Sequence, residues 1–271
     1  MSEISKKGRM DKKMTLKRIE TGIPGLDELL GGGFPRGRSV LLTGGAGTGK
    51  SIFGIQFLYN GITQFEENGI LVTLEESAEI IRENMKIFGW NLKKLEEENR
   101  LVIIDAAPIR YKSFLDGKDK YKLAIKPHPI LGEREFGIQD ITSLIHEYRR
   151  KIDAKRLVFD SLTTLLLQHS DLFAIRQDIL TLVKTLKISD MSSILIAESP
   201  TENEIGRFGV EPFLAEGVII LYMLRRGNTR IRALDIQKMR GTAHSMDSTL
   251  FRITNEGIIV YPGEKVFRDD Q

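Results

Sequence analysis

The sequence predicts an α/β protein: a mostly parallel sheet flanked by helices, with antiparallel strands at its C-terminal edge. Three observations carry that expectation. From Ser39 to Ser199, short apolar runs alternate with helix-length amphipathic segments, a rhythm that calls for parallel strands covered on both faces. The first of these strands leads into Gly44-Gly45-Ala46-Gly47-Thr48-Gly49-Lys50-Ser51, which fits the phosphate-loop pattern G-x-x-x-x-G-K-[ST] at every fixed position. Beyond Ser199 the pattern changes to strands without intervening helices.

Composition narrows the class further. The chain has 271 residues, 41% of them hydrophobic, enough to bury one large core. Its formal charge of +3 is concentrated at one end: the first twenty residues hold seven Lys or Arg against three acids, leaving 33 bases and 34 acids in the rest. A nearly neutral body argues against a broad nucleic-acid surface. The absence of cysteine excludes disulfides and thiolate metal sites. No apolar run reaches the roughly 18 residues of a membrane span, so a cytoplasmic protein without membrane association is expected. Residues 1–13 are expected to form a disordered basic tail and residues 14–271 one domain.

In chain order, Thr21 to Gly37 reads as a turn, a short helix between Pro24 and Gly31, and a glycine-rich connection whose glycines set backbone turns. Ser39 to Thr43 is the first core strand, and Ser51 to Ile62 a helix covered on most sides. After the turn Asn68-Gly69, Ile70 to Leu74 is a buried strand ending in Glu75-Glu76, with Ser77 available to cap the next helix. That helix is expected to present Ile80, Ile81, Asn84, Met85 and Phe88 on one face and to end at Phe88-Gly89-Trp90. A short charged helix, Asn91 to Glu98, leads to the strand Leu101 to Asp105. Residues 108–137, rich in Lys, Asp, Gly and Pro, are expected to form a long loop insertion, either a functional flap or a tolerated insertion.

The rhythm resumes with a helix from Ile138 to Ile152 and the strand Arg156 to Ser161. A helix marked by Ile175, Ile179, Leu182, Val183 and Leu186 follows, then the strand Ser193 to Ser199. Gly217 to Leu224, Thr229 to Met239 and Leu250 to Val260 complete the sheet, the last turning near Asn255-Glu256-Gly257.

The glycine loop supplies the central chemistry. Gly44, Gly45, Gly47 and Gly49 let the backbone turn sharply and aim N–H groups at a β-phosphate, backed by the positive end of the following helix. Lys50 is then placed for the β- and γ-phosphates and the Ser51 hydroxyl for Mg²⁺. Nucleotide contacts are expected from Gly45, Ala46, Gly47, Thr48, Gly49, Lys50, Ser51 and Ile52. In a parallel sheet the neighbouring strand ends converge on this loop. Asp160 is therefore the candidate magnesium-side acid, acting through a coordinated water. Glu75 and Glu76 are candidates for handling the hydrolytic water, one facing the γ-phosphate while the other holds a helix end or a neighbour, with Glu76→Gln expected to keep binding and lose hydrolysis. Glu198 ends the next strand, as a γ-phosphate sensor or a structural hydrogen-bond partner. His128, His146, His169 and His244 lack metal-ligand spacing, so nucleotide-bound Mg²⁺ is the one metal expected.

Taken together, several stretches resemble one half of the circadian clock ATPase family KaiC. These are Thr21 to Gly37, the loop and its helix through Gly61, Glu75-Glu76, Phe88-Gly89-Trp90, Asp160-Ser161, Gly206-Arg207-Phe208-Gly209-Val210, and Lys238-Met239-Arg240-Gly241-Thr242-Ala243-His244. The resemblance runs from about Thr21 to Pro262. It implies a RecA-type P-loop fold and hexameric rings with ATP bound between subunits. It further implies that Glu75 and Glu76 are the catalytic carboxylates, that Lys50, Ser51 and Asp160 hold phosphate and Mg²⁺, and that Lys238 and Arg240 reach a neighbour's γ-phosphate. Met239 and Asn255 correspond to positions near the base and ribose; Asn255 and Ile87 depart from the family pattern, replacing an acid and a small polar residue. The family's phosphorylated half carries Ser and Thr where Asn203 to Gly217 has neither, so the chain resembles the ATPase half and self-phosphorylation there is excluded. The 108–137 loop has no clear family counterpart and is a candidate contact for a protein partner.

The function expected first is a ring-forming regulatory ATPase using ATP and Mg²⁺. A DNA-recombination accessory and a protein kinase are the alternatives, and the neutral body weighs against the former.

Overall fold

A computed structural model describes residues 16–106, 137–167, 169, 171–199 and 204–267 of the chain. The basic tail and nearly all of the 108–137 loop lie outside the described residues.

The centre is a nine-stranded sheet. Its parallel part comprises β3 (Ser39–Gly44), β4 (Gly69–Thr73), β5 (Leu101–Asp105), β6 (Arg156–Asp160), β7 (Ser192–Glu198) and β8 (Gly217–Arg226). Beyond β8 the sheet turns antiparallel through β9 (Thr229–Met239), β10 (Thr249–Thr254) and β11 (Gly257–Lys265). The spatial order is β11-β10-β9-β8-β3-β7-β6-β4-β5, so the phosphate-loop strand β3 is central and the change of sense falls at the C-terminal edge, as the sequence predicts. A small ribbon of β1 (Arg18–Ile19) and β2 (Phe34–Pro35) packs beside it, too short for its residues to show a period in the sequence.

Strand alternation divides the core into two layers. Val40 and Leu42 of β3 join Val158, Ile194 and Ile196 beneath α1 (Leu26–Leu29), α2 (Lys50–Phe65), α3 (Ala78–Met85) and α4 (Leu92–Glu97). Leu41, Leu157, Phe159, Leu195 and Ala197 face the other way, against α5 (Ile138–Ile152), α6 (Leu162–Leu166) and α7 (Leu172–Ile188). Each such Val, Leu, Ile or Phe side chain taken fully out of water contributes about 1.5–3 kcal/mol. The face expected of α3 is corrected: Ala78, Ile81 and Met85 are buried, whereas Ile80 is 51% exposed and Asn84 also faces solvent. The five-residue helix α6 has no sequence-level period to reveal it, because Leu162, Thr163, Thr164, Leu165 and Leu166 are all buried.

Helix α2 is seated on the sheet by its small and polar residues. At Gly61 an added Cβ would lie 2.3 Å from Arg156 Cδ, so the absence of a side chain admits the arginine. Arg156 is fully buried, pairs with Glu67 at 2.8 Å, donates to the Phe57 and Glu20 carbonyls, and lies over the Phe57 and Phe65 rings. Burial lowers its pKa, with Glu67 opposing that shift. On the other flank Gln56 makes a matched pair of bonds to Ile258, donating to its carbonyl at 2.9 Å and accepting from its N–H at 2.6 Å. These fix the β10–β11 hairpin beside the start of α2.

Candidate functional site

The strand register brings the chemistry to one level. Gly44 pairs with Glu198, Phe159 with Leu195, and Thr73 with both Asp160 and Asp105, so β3, β7, β6, β4 and β5 end together. Between β3 and α2 the phosphate loop is held in its turn by Thr48, whose hydroxyl donates to the Gly45 carbonyl at 2.9 Å. Gly44 is required sterically: its φ is 152°, and a Cβ there would sit 2.3 Å from the Leu221 carbonyl oxygen. Gly45 differs from the sequence expectation, since it does not adopt positive φ and an added Cβ would meet nothing within 4 Å. Lys50 Nζ arches over the loop and donates to the Gly44 and Gly45 carbonyls, each at 2.9 Å. Burial lowers its pKa, while Glu198, Asp160 and Glu75, in that order, counter the shift.

Ser51 and Asp160 meet side chain to side chain. Asp160 is 8% exposed, and burial raises its pKa to about 6. The Ser51 hydrogen bond and Lys50 pull it down, whereas Glu75 and Glu76 push it up. A buried carboxylate beside a hydroxyl is a donor set suited to a hard cation. Among the described residues no group of three or more His, Asp or Glu could hold a metal ion, so a cation here needs further oxygens from water and a triphosphate.

The two consecutive glutamates part ways. Glu75 Oε1 accepts from the Thr164 hydroxyl at 2.9 Å and from the Ser161 hydroxyl, and Glu75 acts electrostatically on both Lys50 and Asp160. Glu76 is turned toward α3, where its Oε2 accepts from Asn84 Nδ2 at 3.3 Å and its carbonyl accepts from Thr73 Oγ1 at 2.6 Å. Ser77 caps α3 as its position suggests, and Asp105 adds a second cap by accepting from the Ala78 N–H at 2.8 Å. Glu198 is tied back through its N–H to Thr163 Oγ1 at 2.9 Å. The sequence reading missed Ser161, Thr163 and Thr164; three hydroxyls within four residues of a strand-end acid were the available signal.

The remaining expected site residues divide between the loop and the far end of the sheet. Ile52 packs on the core from the first turn of α2. Asn255 is exposed at the β10–β11 turn, in the hairpin whose Ile253 approaches Gly49. Lys238, Met239 and Arg240 are at the opposite end of the sheet from the loop: Met239 pairs with Gly217, at the start of β8, whereas Leu221 further along pairs with Gly44. Met239 is 4% exposed with its side chain in the core, so that side chain does not face a nucleotide held by this chain's own loop. Lys238 Nζ donates to the Pro212 carbonyl at 2.7 Å, and burial and Arg240 lower its pKa. Arg240 is exposed. On the β8 side of the loop a cavity of about 410 Å³ is bordered by Thr48, Ser199, Tyr222, Arg225 and Arg230. Among the described residues no helix is long and apolar enough to cross a membrane.

Comparison with known proteins agrees with this architecture. The family profile of the ATPase KaiC matches residues 19–265. The KaiC clock oscillator protein of Parasynechococcus marenigrum is 36% identical over 92% of the chain, which covers 46% of that protein, and the one from Synechococcus elongatus is 35% identical over 96%, covering 47%. The chain thus spans about half the length of the curated relatives it matches. The crystal structure of a KaiC-like protein from the hyperthermophilic archaeon Pyrococcus horikoshii superposes with a TM-score of 0.77 at 37% identity, covering 92% of this chain and 100% of that one. A RecA-type core, a phosphate loop on its central strand and a family match over most of its length together establish that the chain belongs to the KaiC ATPase family.

Proposed function

We propose that the chain binds ATP with Mg²⁺ and hydrolyses it, within a homo-oligomeric, six-membered ring in the cytoplasm whose nucleotide state is read by a protein partner. The observation that carries the reading is the convergence of Lys50, Asp160 and Glu75 at neighbouring strand ends, each acting electrostatically on another. Lys50 leaves the Gly44 and Gly45 carbonyls for the β- and γ-phosphates, while the loop amides and the start of α2 hold the remaining phosphate charge. Ser51 and Asp160 would hold Mg²⁺, which would supply charge neutralisation for the phosphate oxygens. Glu75 orients the attacking water and accepts its proton; its link to Lys50 and its anchorage by Ser161 and Thr164 favour it over Glu76, which faces Asn84.

The inter-subunit part of the proposal rests on a distance. Arg240 donates its N–H to Glu216, whose own N–H bonds Ser39 at the far end of β3. Five residues of strand separate Ser39 from Gly44, roughly 16 Å at about 3.3 Å per residue. Arg240 does not span that gap to its own loop, and Lys238 Nζ is engaged by the Pro212 carbonyl, so we assign any triphosphate they touch to another copy. Steady-state phosphate release from Mg·ATP tests the reading: turnover is expected in the parent and absent in Lys50→Ala. A parent that binds ATP and releases no phosphate contradicts the hydrolase assignment.

A further inference from the structure

Glu75 sits at the surface, and an exposed glutamate is free to sample many rotamers unless something holds it. Its restraint comes from a neighbouring element. Thr164 is 9% exposed on α6, whose start is capped by Ser161 and whose Leu162, Leu165 and Leu166 are buried to 1% or less. The core therefore fixes the Thr164 hydroxyl, and that hydroxyl is 2.9 Å from Glu75 Oε1. Ser161, 1% exposed, donates to the same oxygen and accepts from the Thr164 N–H at 3.4 Å, which locks the two donors to each other. Two donors on Oε1 set the plane of the carboxylate and leave the lone pairs of Oε2 outside this pair of bonds. Glu76 has no equivalent anchor, its amide partner Asn84 being exposed.

We propose that Thr164 is a positioning residue, acting through Glu75, that holds this carboxylate in register with Asp160 for its work on the attacking water. The proposal rests on the hydrolytic reading above. The physical ground is orientation: misplacing a reacting group by about 1 Å can cost on the order of a hundredfold in rate. The sequence Asp160-Ser161-Leu162-Thr163-Thr164 thus ties three strand ends to one corner, with Asp160 on β6, Glu75 after β4, and Glu198 on β7 through Thr163.

The test compares Thr164→Val, which keeps the shape and removes the hydroxyl, with Thr164→Ser, which keeps the hydroxyl. Thr164→Val is expected to lower kcat for ATP roughly tenfold to a hundredfold, with thermal stability and affinity for a non-hydrolysable ATP analogue unchanged. Thr164→Ser is expected to stay within about twofold of the parent, and Thr164→Val should add no loss on a Glu75→Gln background. Equal turnover in Thr164→Val and the parent, or an equal fall in the Val and Ser variants, overturns the proposal while leaving the hydrolase reading intact. A readout independent of turnover is carbodiimide labelling mapped by mass spectrometry, with exposed Glu79 as the internal reference. Glu75 should label several-fold faster in Thr164→Val than in the parent, and unchanged labelling overturns the proposal even if the parent proves inactive.

Discussion

Met239 pairs with Gly217 at the start of β8, four residues before Leu221, which pairs with Gly44 at the phosphate loop. This register places Lys238 and Arg240 at the opposite end of the sheet from the loop. Arg240→Ala should therefore leave ATP binding to each subunit intact yet lower turnover by on the order of a thousandfold, the scale of a cation supplied from a neighbour. Mixing Arg240→Ala subunits with subunits carrying Glu75→Gln and Glu76→Gln should restore part of the activity, because mixed neighbours combine one intact pair of glutamates with one intact arginine. Phosphate release that stays at the level of the separate variants contradicts shared sites.

The divergence of the two glutamates gives a second expectation. Glu75→Gln should reduce kcat by a factor of about 10² or more, as expected for loss of a general base, while Glu76→Gln should lose less than about tenfold. Single-turnover kinetics with saturating Mg·ATP separates this from binding. A larger loss in Glu76→Gln would return the role to the residue that the sequence reading favoured.

Asp160 links the site to stability. Its pKa is raised from 3.8 to about 6, so between those values the folded protein keeps a proton that the unfolded chain has released. Stability from this group is fully present below about pH 4 and declines as the pH rises toward 6, a difference on the order of 3 kcal/mol. Asp160→Asn should therefore unfold at higher temperature than the parent at pH 8 without nucleotide, and the gap should close near pH 4. A gap that is the same at both pH values refutes the linkage.

Gly61 and Arg156 provide a test of the scaffold. A methyl group at position 61 meets the arginine at 2.3 Å, and the arginine is confined by Glu67, Phe57 and Phe65. Gly61→Ala should destabilise by about 1–3 kcal/mol through overpacking, despite roughly 1 kcal/mol of gained helix propensity. Urea denaturation reads this directly, and a variant as stable as the parent would show that Arg156 can move aside.

Much of this was legible in the residues. The runs at Ser39, Ile70, Leu101, Arg156 and Ser193 are dense in β-branched and aliphatic side chains, and each proved to be a parallel strand. The phosphate loop announced itself because glycine spacing is a backbone requirement written directly into sequence. What stayed hidden depends on relations across the fold. Nothing near Thr164 in the chain reveals that Glu75 lies against it, 89 residues away. Likewise the pairing of Met239 with Gly217 is a register, invisible until β8 and β9 are laid side by side. The face of α3 was misread because Ile80 is apolar yet points to solvent, so composition alone gave the wrong angle.

On the proposed reading, the loop from Gly44 to Ser51 grips a triphosphate with Lys50 as its charged partner. Isothermal titration calorimetry of Mg·ATP into the parent and into Lys50→Ala tests it most directly. A saturable isotherm with one site per chain is expected for the parent, with affinity weaker by roughly a hundredfold in the variant. Absence of binding heat in the parent across a range of temperatures, or superimposable isotherms for the two proteins, would contradict it.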